Sequence, residues 1–114
     1  MTSTRIFETA IQRRKRMMII ESLEEVIDVP REYWEIKRSK KSQEVMIRQI
    51  YIYLLSTLIG YELIKIAEIC GVKAHSTIIK NIATGEAWAS SSELYPYQNQ
   101  IIKETIKLYE QRNS

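Results

Sequence analysis

An all-α fold is predicted by three observations on the sequence. Only three glycines and two prolines occur in 114 residues, so little interrupts a helix. Apolar residues make up 45% of the chain and recur at helical spacing in several stretches. Charged residues make up 27%, which is typical of a globular protein and not of a disordered one. At this length we expect a single domain over residues 1–114, built around one core.

The first periodic stretch predicts a long helix over residues 4–27, capped by Thr2 or Ser3. At ~1.5 Å per residue this helix would be roughly 35 Å long, which is more than a small core can cover. We therefore expect the part near Gln12 to Arg16 to project or fray, and the second half to lie in the core.

A break at residues 28–30 precedes a segment, 31–36, that predicts one or two helical turns. Residues 37–42 carry no apolar side chain and predict an exposed loop. Residues 43–59 carry apolar side chains around most of a helix, which predicts a central, largely buried helix. Gly60 ends this helix, because glycine adopts the left-handed conformation without a Cβ penalty.

Two shorter helices follow, over residues 62–70 and from 74 to about 85, with Gly71 in the turn between them. Residues 86–92 predict a connector, and a final helix is expected over 93–112. Two helices that meet at a glycine turn after a long buried helix form the pattern of a helix-turn-helix, whose second helix enters the major groove of DNA.

The residues around this turn resemble a known family. From residue 66 to 82 the sequence is IAEICGVKAHSTIIKNI, with a basic residue, a spacer and then His-Ser-Thr after the glycine turn. This run resembles the signature of the C-terminal, box-binding domain of the bacterial replication initiator DnaA. The resemblance extends back through RQIYIYLLSTLIG, at 48–60, to the basic loop KRSKK, and covers about residues 17–82. It implies a helix-turn-helix core over 43–85, within a Trp-repressor-like bundle of five to six helices.

The resemblance also implies a set of DNA-binding residues. His75, Ser76 and Thr77 would enter the major groove, where a threonine methyl group or an imidazole can contact a thymine methyl group. Lys73 would bind a phosphate at the helix N-terminus. Lys40 of the basic loop would enter the minor groove. The full implied set is Arg38, Lys40, Lys41, Arg48, Leu63, Lys73, Ala74, His75, Ser76 and Thr77.

Three positions depart from the family pattern. Ala74 stands where the family usually has an acidic residue that accepts from a cytosine amino group, which predicts a different or relaxed specificity. Lys40 replaces an arginine, so a point charge stands where a planar guanidinium would suit a narrow minor groove. At residues 62–64, Glu-Leu-Ile replaces Ser/Thr-x-Pro, which removes a helix cap and predicts weaker binding.

Several classes of protein and site are not expected. The three glycines do not form the phosphate-binding loop that the ATPase domain of DnaA requires, so the chain resembles a freestanding DNA-binding domain. One cysteine, Cys70, and one histidine, His75, cannot form an internal disulfide or a zinc site built from several Cys and His ligands. We therefore expect a protein that is not an enzyme and has no metal or cofactor. We also expect it to act on double-stranded DNA in the cytoplasm, associated with the nucleoid.

The basic residues are concentrated in the first part of the chain. Of 17 lysines and arginines, 11 lie in residues 1–48, mainly in two clusters at 13–16 and 37–41. We interpret the first as a solvated helix face, because glutamates follow it on the same helix, and the second as a DNA contact. The alternative function is a protein-interaction or dimerisation module that uses the first helix or an apolar stripe on the last helix, formed by Leu94, Tyr97, Ile101 and Leu108.

Overall fold

The computed structural model describes residues 8–37 and 40–114. In these residues the structure contains helices and no strand, which confirms the predicted all-α fold. A 3₁₀ turn, Arg31–Tyr33, precedes α2, and a π-helical segment, Leu55–Ile59, continues α2. The α-helices of the described residues are α1 (Ala10–Ile27), α2 (Ser42–Leu54), α3 (Leu63–Cys70), α4 (His75–Ser90) and α5 (Pro96–Asn113). No helix in the described ranges combines the length and apolar character that crossing a membrane requires.

Helix α2 lies at the centre of the core, as its sequence predicts. Most of its apolar side chains are fully buried, and it packs mainly against α4, whereas α1 packs along α5. Trp34, also fully buried, meets the Tyr51 ring of α2 edge to face at 5.3 Å between centroids. The Trp34 indole N–H donates to the Val29 carbonyl oxygen at 2.9 Å, so its buried polar atom has a partner. This contact fixes the chain between α1 and α2 against the core.

The first helix begins at Ala10, so its predicted start at residue 4 is wrong. Thr9 is the N-cap: its hydroxyl accepts from the Gln12 amide at 3.0 Å, and the Gln12 side chain accepts from the Thr9 amide at 3.1 Å. This reciprocal pair is a capping box, which satisfies two amide groups at once and sets the helix start. The caps predicted from the sequence, Thr2 and Ser3, lie outside the described residues.

The expected fraying of α1 near Gln12 and Arg16 is also wrong, because an ion-pair cluster holds this part of the helix. Arg16 donates from Nε to Glu8 at 2.7 Å and from Nη1 to Glu35 at 3.1 Å. Tyr61, beyond the π-helical segment, donates its hydroxyl to Glu8. Burial tends to raise the pKa of Glu8, but hydrogen bonds from Arg16 and Tyr61 lower it overall. Of the 13–16 cluster, the first two arginines are exposed as expected, whereas Arg16 is structural.

Helix α4 continues to Ser90, so its predicted end near Gly85 and the predicted connector over 86–92 are wrong. Gly85 is buried inside the helix, where a Cβ atom would overlap the Tyr53 side chain of α2. Glycine here therefore permits close helix packing and does not end the helix. The Asn99 amide of α5 donates to the Trp88 carbonyl at 2.9 Å, which satisfies an acceptor in the last turn of α4.

We predict that Gly85→Ala lowers the free energy of unfolding by about 1–3 kcal/mol, because the added methyl group must displace Tyr53 or separate α2 from α4. Glu86→Ala, an exposed neighbour on the same helix, is the control and should change stability little. Chemical denaturation of both variants measures the effect. A Gly85→Ala variant as stable as the parent would show that the two helices have room to separate.

We predict that Glu8→Gln lowers the free energy of unfolding at pH 7 by about 1–2 kcal/mol, because it removes charged hydrogen bonds to Arg16 and Tyr61. The lowered pKa of Glu8 means that its stabilisation is present above the ordinary value of 4.5 and is lost as the pH falls through the folded-state pKa. The difference from the parent should therefore shrink below pH 4.5 in denaturation curves. Glu21→Gln, at an exposed pair, is the control. A difference that stays constant down to pH 3 would contradict this assignment.

Candidate nucleic-acid interface

Helices α3 and α4 meet at the turn that begins with Gly71. Gly71 has φ +66°, a left-handed conformation that favours glycine, and the Val72 amide donates to the Ala67 carbonyl at 2.9 Å to close the end of α3. A Cβ atom on Gly71 would lie 3.1 Å from the Ile36 side chain. The turn is therefore packed directly against the segment that leads into the basic loop.

The same segment is bonded to the end of α3. The Lys37 amide donates to the Cys70 carbonyl at 2.8 Å, so the first residue of the basic loop is fixed beside the helix-turn-helix. Lys37, Lys40 and Lys41 are exposed, while Arg38 lies outside the described residues. The basic loop and the turn that carries Lys73, which are far apart in the sequence, thus lie on one side of the molecule.

The N-terminal turn of α4 presents the residues that the sequence singles out. Lys73, Ala74, His75 and Ser76 are exposed, and Thr77 is half-buried. Ala74 is the N-cap and provides no side-chain hydrogen bond to the helix amides. The first turn of α4 therefore presents backbone N–H groups and the positive end of the helix dipole beside Lys73, an arrangement that favours an anion.

Further along α4, the exposed residues form one continuous face. Ile79, Lys80 and Ala83 follow His75 and Ser76 on this face, and Ile79 is 53% exposed. The opposite face carries the buried Ile78. This extension was not recognised from the sequence, although helical spacing counted from His75 indicates it.

A small groove lies between the basic loop, α2 and α4, and its volume is about 260 Å³. It brings together two lysines of the loop, three residues of α2, one residue of the turn and two α4 residues spaced one turn apart. The lining residues are Lys37, Lys40, Val45, Arg48, Gln49, Val72, Thr77 and Asn81. None of these eight side chains is acidic.

Arg48 is the most unusual residue of this groove. It is only 6% exposed, and its Nη1 atom has no hydrogen-bond partner among the described residues. Burial lowers the pKa of Arg48, and the nearby Cys70 and Glu44 offset this only in part. Cys70 is itself buried, and burial raises the pKa of its thiol to about 12, so at neutral pH it is an uncharged, inert thiol.

Two amide side chains in the groove were not recognised from the sequence. Gln49 of α2 donates from Nε2 to Oδ1 of Asn81 on α4 at 3.3 Å. Asn81 is 9% exposed and lies four residues after Thr77, which places both on the same helix face. The signal that could have identified this pair is a polar residue at a helix position where the spacing predicts a buried, apolar one.

At the start of α3, the residue expected to contact DNA is not the exposed apolar one. Leu63, included in the implied DNA-binding set, packs partly buried against the core, and its DNA contact stays a prediction. The exposed apolar residue of this turn is Ile64, at 46%. Glu62 is the N-cap, and its side chain makes no capping hydrogen bond, in keeping with the missing cap expected from the sequence.

The apolar stripe expected on the last helix is not a continuous exposed surface. Ile101 is 5% exposed and belongs to the core, because α5 packs on α1, whereas Leu94 and Tyr97 are exposed at 74% and 56%. Of the four stripe residues only Ile101 belongs to the core, and Leu94 lies before the start of α5, which begins at Pro96 and not at the predicted residue 93. No cluster of three or more metal-ligating side chains occurs in residues 8–37 and 40–114.

Comparison with known proteins agrees with this geometry. A family model described as the bacterial dnaA protein helix-turn-helix matches residues 17–84, which is more than half of the chain. The match begins within α1 and includes the basic loop, α2, the turn at Gly71 and most of α4. No curated protein and no solved structure matches the chain. This protein belongs to the bacterial DnaA helix-turn-helix family, whose helix-turn-helix domain is a module that binds double-stranded DNA.

Proposed function

We propose that this protein binds double-stranded DNA sequence-specifically through its helix-turn-helix, in a manner related to DnaA-box recognition. In this proposal the protein acts at the nucleoid, in the initiation of DNA replication or its regulation. Membership of the DnaA helix-turn-helix family supports DNA binding. The structural feature that supports the proposal most strongly is Arg48.

A buried guanidinium group without a partner is costly, because it loses hydration and gains no hydrogen bond in return. Arg48 carries this cost at a groove that also contains Lys37 and Lys40 and no acidic side chain. A phosphate group supplies what Arg48 lacks, since charge-assisted hydrogen bonds between guanidinium and phosphate are short and strong. The buried Nη1 atom without a hydrogen-bond partner therefore favours an anionic ligand over a purely structural role.

The surrounding surface suits a DNA duplex in particular. The exposed N-terminal turn of α4 would lie in the major groove, with His75, Ser76 and Thr77 at base edges. The basic loop would follow the backbone into the minor groove, where Lys40 and Lys41 neutralise phosphates and favour A/T base pairs. Phosphate contacts of this kind position the protein, and base contacts specify the site.

Selection from a randomised duplex pool, followed by titration at two salt concentrations, tests the proposal. We expect one preferred motif and an affinity that falls steeply with salt, because each neutralised phosphate releases counterions. Absence of duplex binding at low salt would reject DNA binding and favour the protein-interaction alternative.

We predict that Lys40→Ala and Lys41→Ala weaken binding to all duplexes and reduce the preference for A/T pairs beside the core site. The slope of log affinity against log salt should become less steep by about 0.9 for each phosphate that is no longer neutralised. Lys103→Ala and Lys107→Ala are matched controls, since they remove the same charge from exposed positions on α5. If the loop variants and the α5 variants bind alike, the loop is only solvated.

We predict that His75→Ala and Thr77→Ala each cost about 1–3 kcal/mol of binding free energy on the preferred site and much less on random DNA. Each variant lacks a side chain that touches a base edge, while the charges that hold any duplex are unchanged. Competition titrations with specific and random duplexes measure the two costs. Equal costs on both kinds of DNA would show that α4 does not contact base edges.

We predict that Ala74→Asp shifts the preferred motif toward a site with a cytosine at the facing base pair, because a carboxylate accepts from the cytosine amino group and alanine cannot. Repeated selection with the variant identifies the new motif. An unchanged motif would mean that residue 74 does not face a base. Non-specific binding should weaken slightly, because the added negative charge lies near phosphates.

A further inference from the structure

The groove at Arg48 contains more hydrogen-bonding capacity than the described contacts use. Asn81 is nearly buried, and within the described residues its side chain makes one hydrogen bond, in which Oδ1 accepts from Gln49 at 3.3 Å. That bond leaves the two protons of the Asn81 amide nitrogen for another partner. Asn81 Nδ2 is not one of the fully buried atoms that lack a partner in the described residues, so its protons are accessible to a ligand that enters the groove.

The Gln49 contact also fixes which end of the Asn81 amide is available. Because Gln49 donates to Oδ1, the Asn81 NH₂ group is the end left free at the groove that both residues line. The groove then offers donors of three kinds: the Arg48 guanidinium, the Asn81 amide and the Thr77 hydroxyl. The loop lysines add positive charge at its edge.

These donors, together with the charge of the loop lysines, match a phosphate. A guanine edge in the major groove also offers two acceptors, N7 and O6, but it carries no net charge, whereas the two free oxygens of a phosphodiester accept hydrogen bonds and carry the negative charge that a cluster of cationic side chains favours. The volume of about 260 Å³ is also below the range of roughly 300–1,000 Å³ for pockets that enclose a drug-sized molecule. The groove thus suits one small anionic group.

We infer that this groove binds a single phosphate of the DNA backbone and that Asn81 is a direct ligand of that phosphate, held in orientation by Gln49. The inference rests on the proposed function, because it specifies what the DNA-binding surface contacts at this point. Asn81 lies one turn beyond Thr77 on α4. A phosphate bound there would fix the position of α4 along the DNA backbone. The contact would lie just beyond the turn of α4 that contacts the bases.

Two substitutions at one position separate this role from a purely structural link between α2 and α4. Asn81→Asp keeps an oxygen that can accept from Gln49, but it replaces the donors with a negative charge facing the phosphate. Asn81→Ala removes both the acceptor and the donors. If the pair were only structural, the aspartate variant would bind DNA better than the alanine variant.

We expect the opposite order. Asn81→Ala should bind the preferred duplex about tenfold more weakly, as for the removal of one hydrogen bond to a charged group, and Asn81→Asp at least another tenfold more weakly. Ala87→Asp is the matched control for added negative charge, at an exposed position further along α4. Its affinity should exceed that of Asn81→Asp clearly. Thermal unfolding of each variant establishes that it is folded.

A chemical probe locates the contact on the DNA. In a series of duplexes, each with one uncharged methylphosphonate in place of one phosphate, the parent protein should lose affinity most at a single position. The same replacement should cost Asn81→Ala several-fold less, because this variant has no amide to donate to that phosphate. An equal cost for parent and variant at every position would overturn the inference, as would an Asn81→Ala affinity within twofold of the parent.

A measurement on the parent protein avoids reliance on any variant. The side-chain NH₂ resonances of Asn81, in a ¹⁵N-labelled sample, should shift on adding the preferred duplex and shift much less with the critical methylphosphonate duplex. Unmoved resonances in the presence of a bound duplex would reject Asn81 as a ligand while leaving DNA binding intact. A parent protein that binds no duplex at all would instead reject the proposed function.

Discussion

The hydrogen bond from the Lys37 amide to the Cys70 carbonyl, at 2.8 Å, joins the basic loop to the end of α3. The position of the basic loop in the candidate interface depends on this junction, because it places the loop beside the turn at Gly71. Ile36 packs so closely against the turn that a Cβ atom on residue 71 would lie 3.1 Å from its side chain, which favours glycine at this position. On the other side, Glu35 pairs with Arg16 of α1, so the segment is held by a helix on each flank.

Two arginines show how the same side chain serves stability or binding according to its partners. Arg16 is paired with Glu8 and Glu35, and its charge is satisfied within the protein. Arg48 is nearly buried and leaves Nη1 without a partner in the described part of the chain. Pairing a buried charge removes most of its penalty, whereas an unpaired one keeps that penalty until a ligand arrives. We interpret the first as part of the scaffold and the second as part of the proposed DNA-binding surface.

Much of the fold could be predicted from the sequence, because its signals are local. The buried character of α2 follows from its apolar pattern. The turns at residues 60 and 71 follow from the glycines there, and both glycines adopt positive φ in the structure. The start of α1 was also locally encoded: Thr9 and Gln12 have the spacing of a capping box, a stronger signal than a lone Thr2 or Ser3. The exposed N-terminal turn of α4 likewise follows from the helix-turn-helix pattern.

The sequence by itself determined the helical class, the order of the helices and the family to which the protein belongs, since these depend on periodicity and on a short contiguous motif. Only the tertiary structure decided that α4 continues past Gly85. There Tyr53 of α2 packs against Gly85, and Asn99 of α5 donates a hydrogen bond to the last turn of α4. The tertiary structure also decided the burial of Arg48 and the contact between Gln49 and Asn81. The physical reason is the same in each case: burial and hydrogen-bond pairing depend on residues that are distant in the chain, and no local pattern specifies which of them meet.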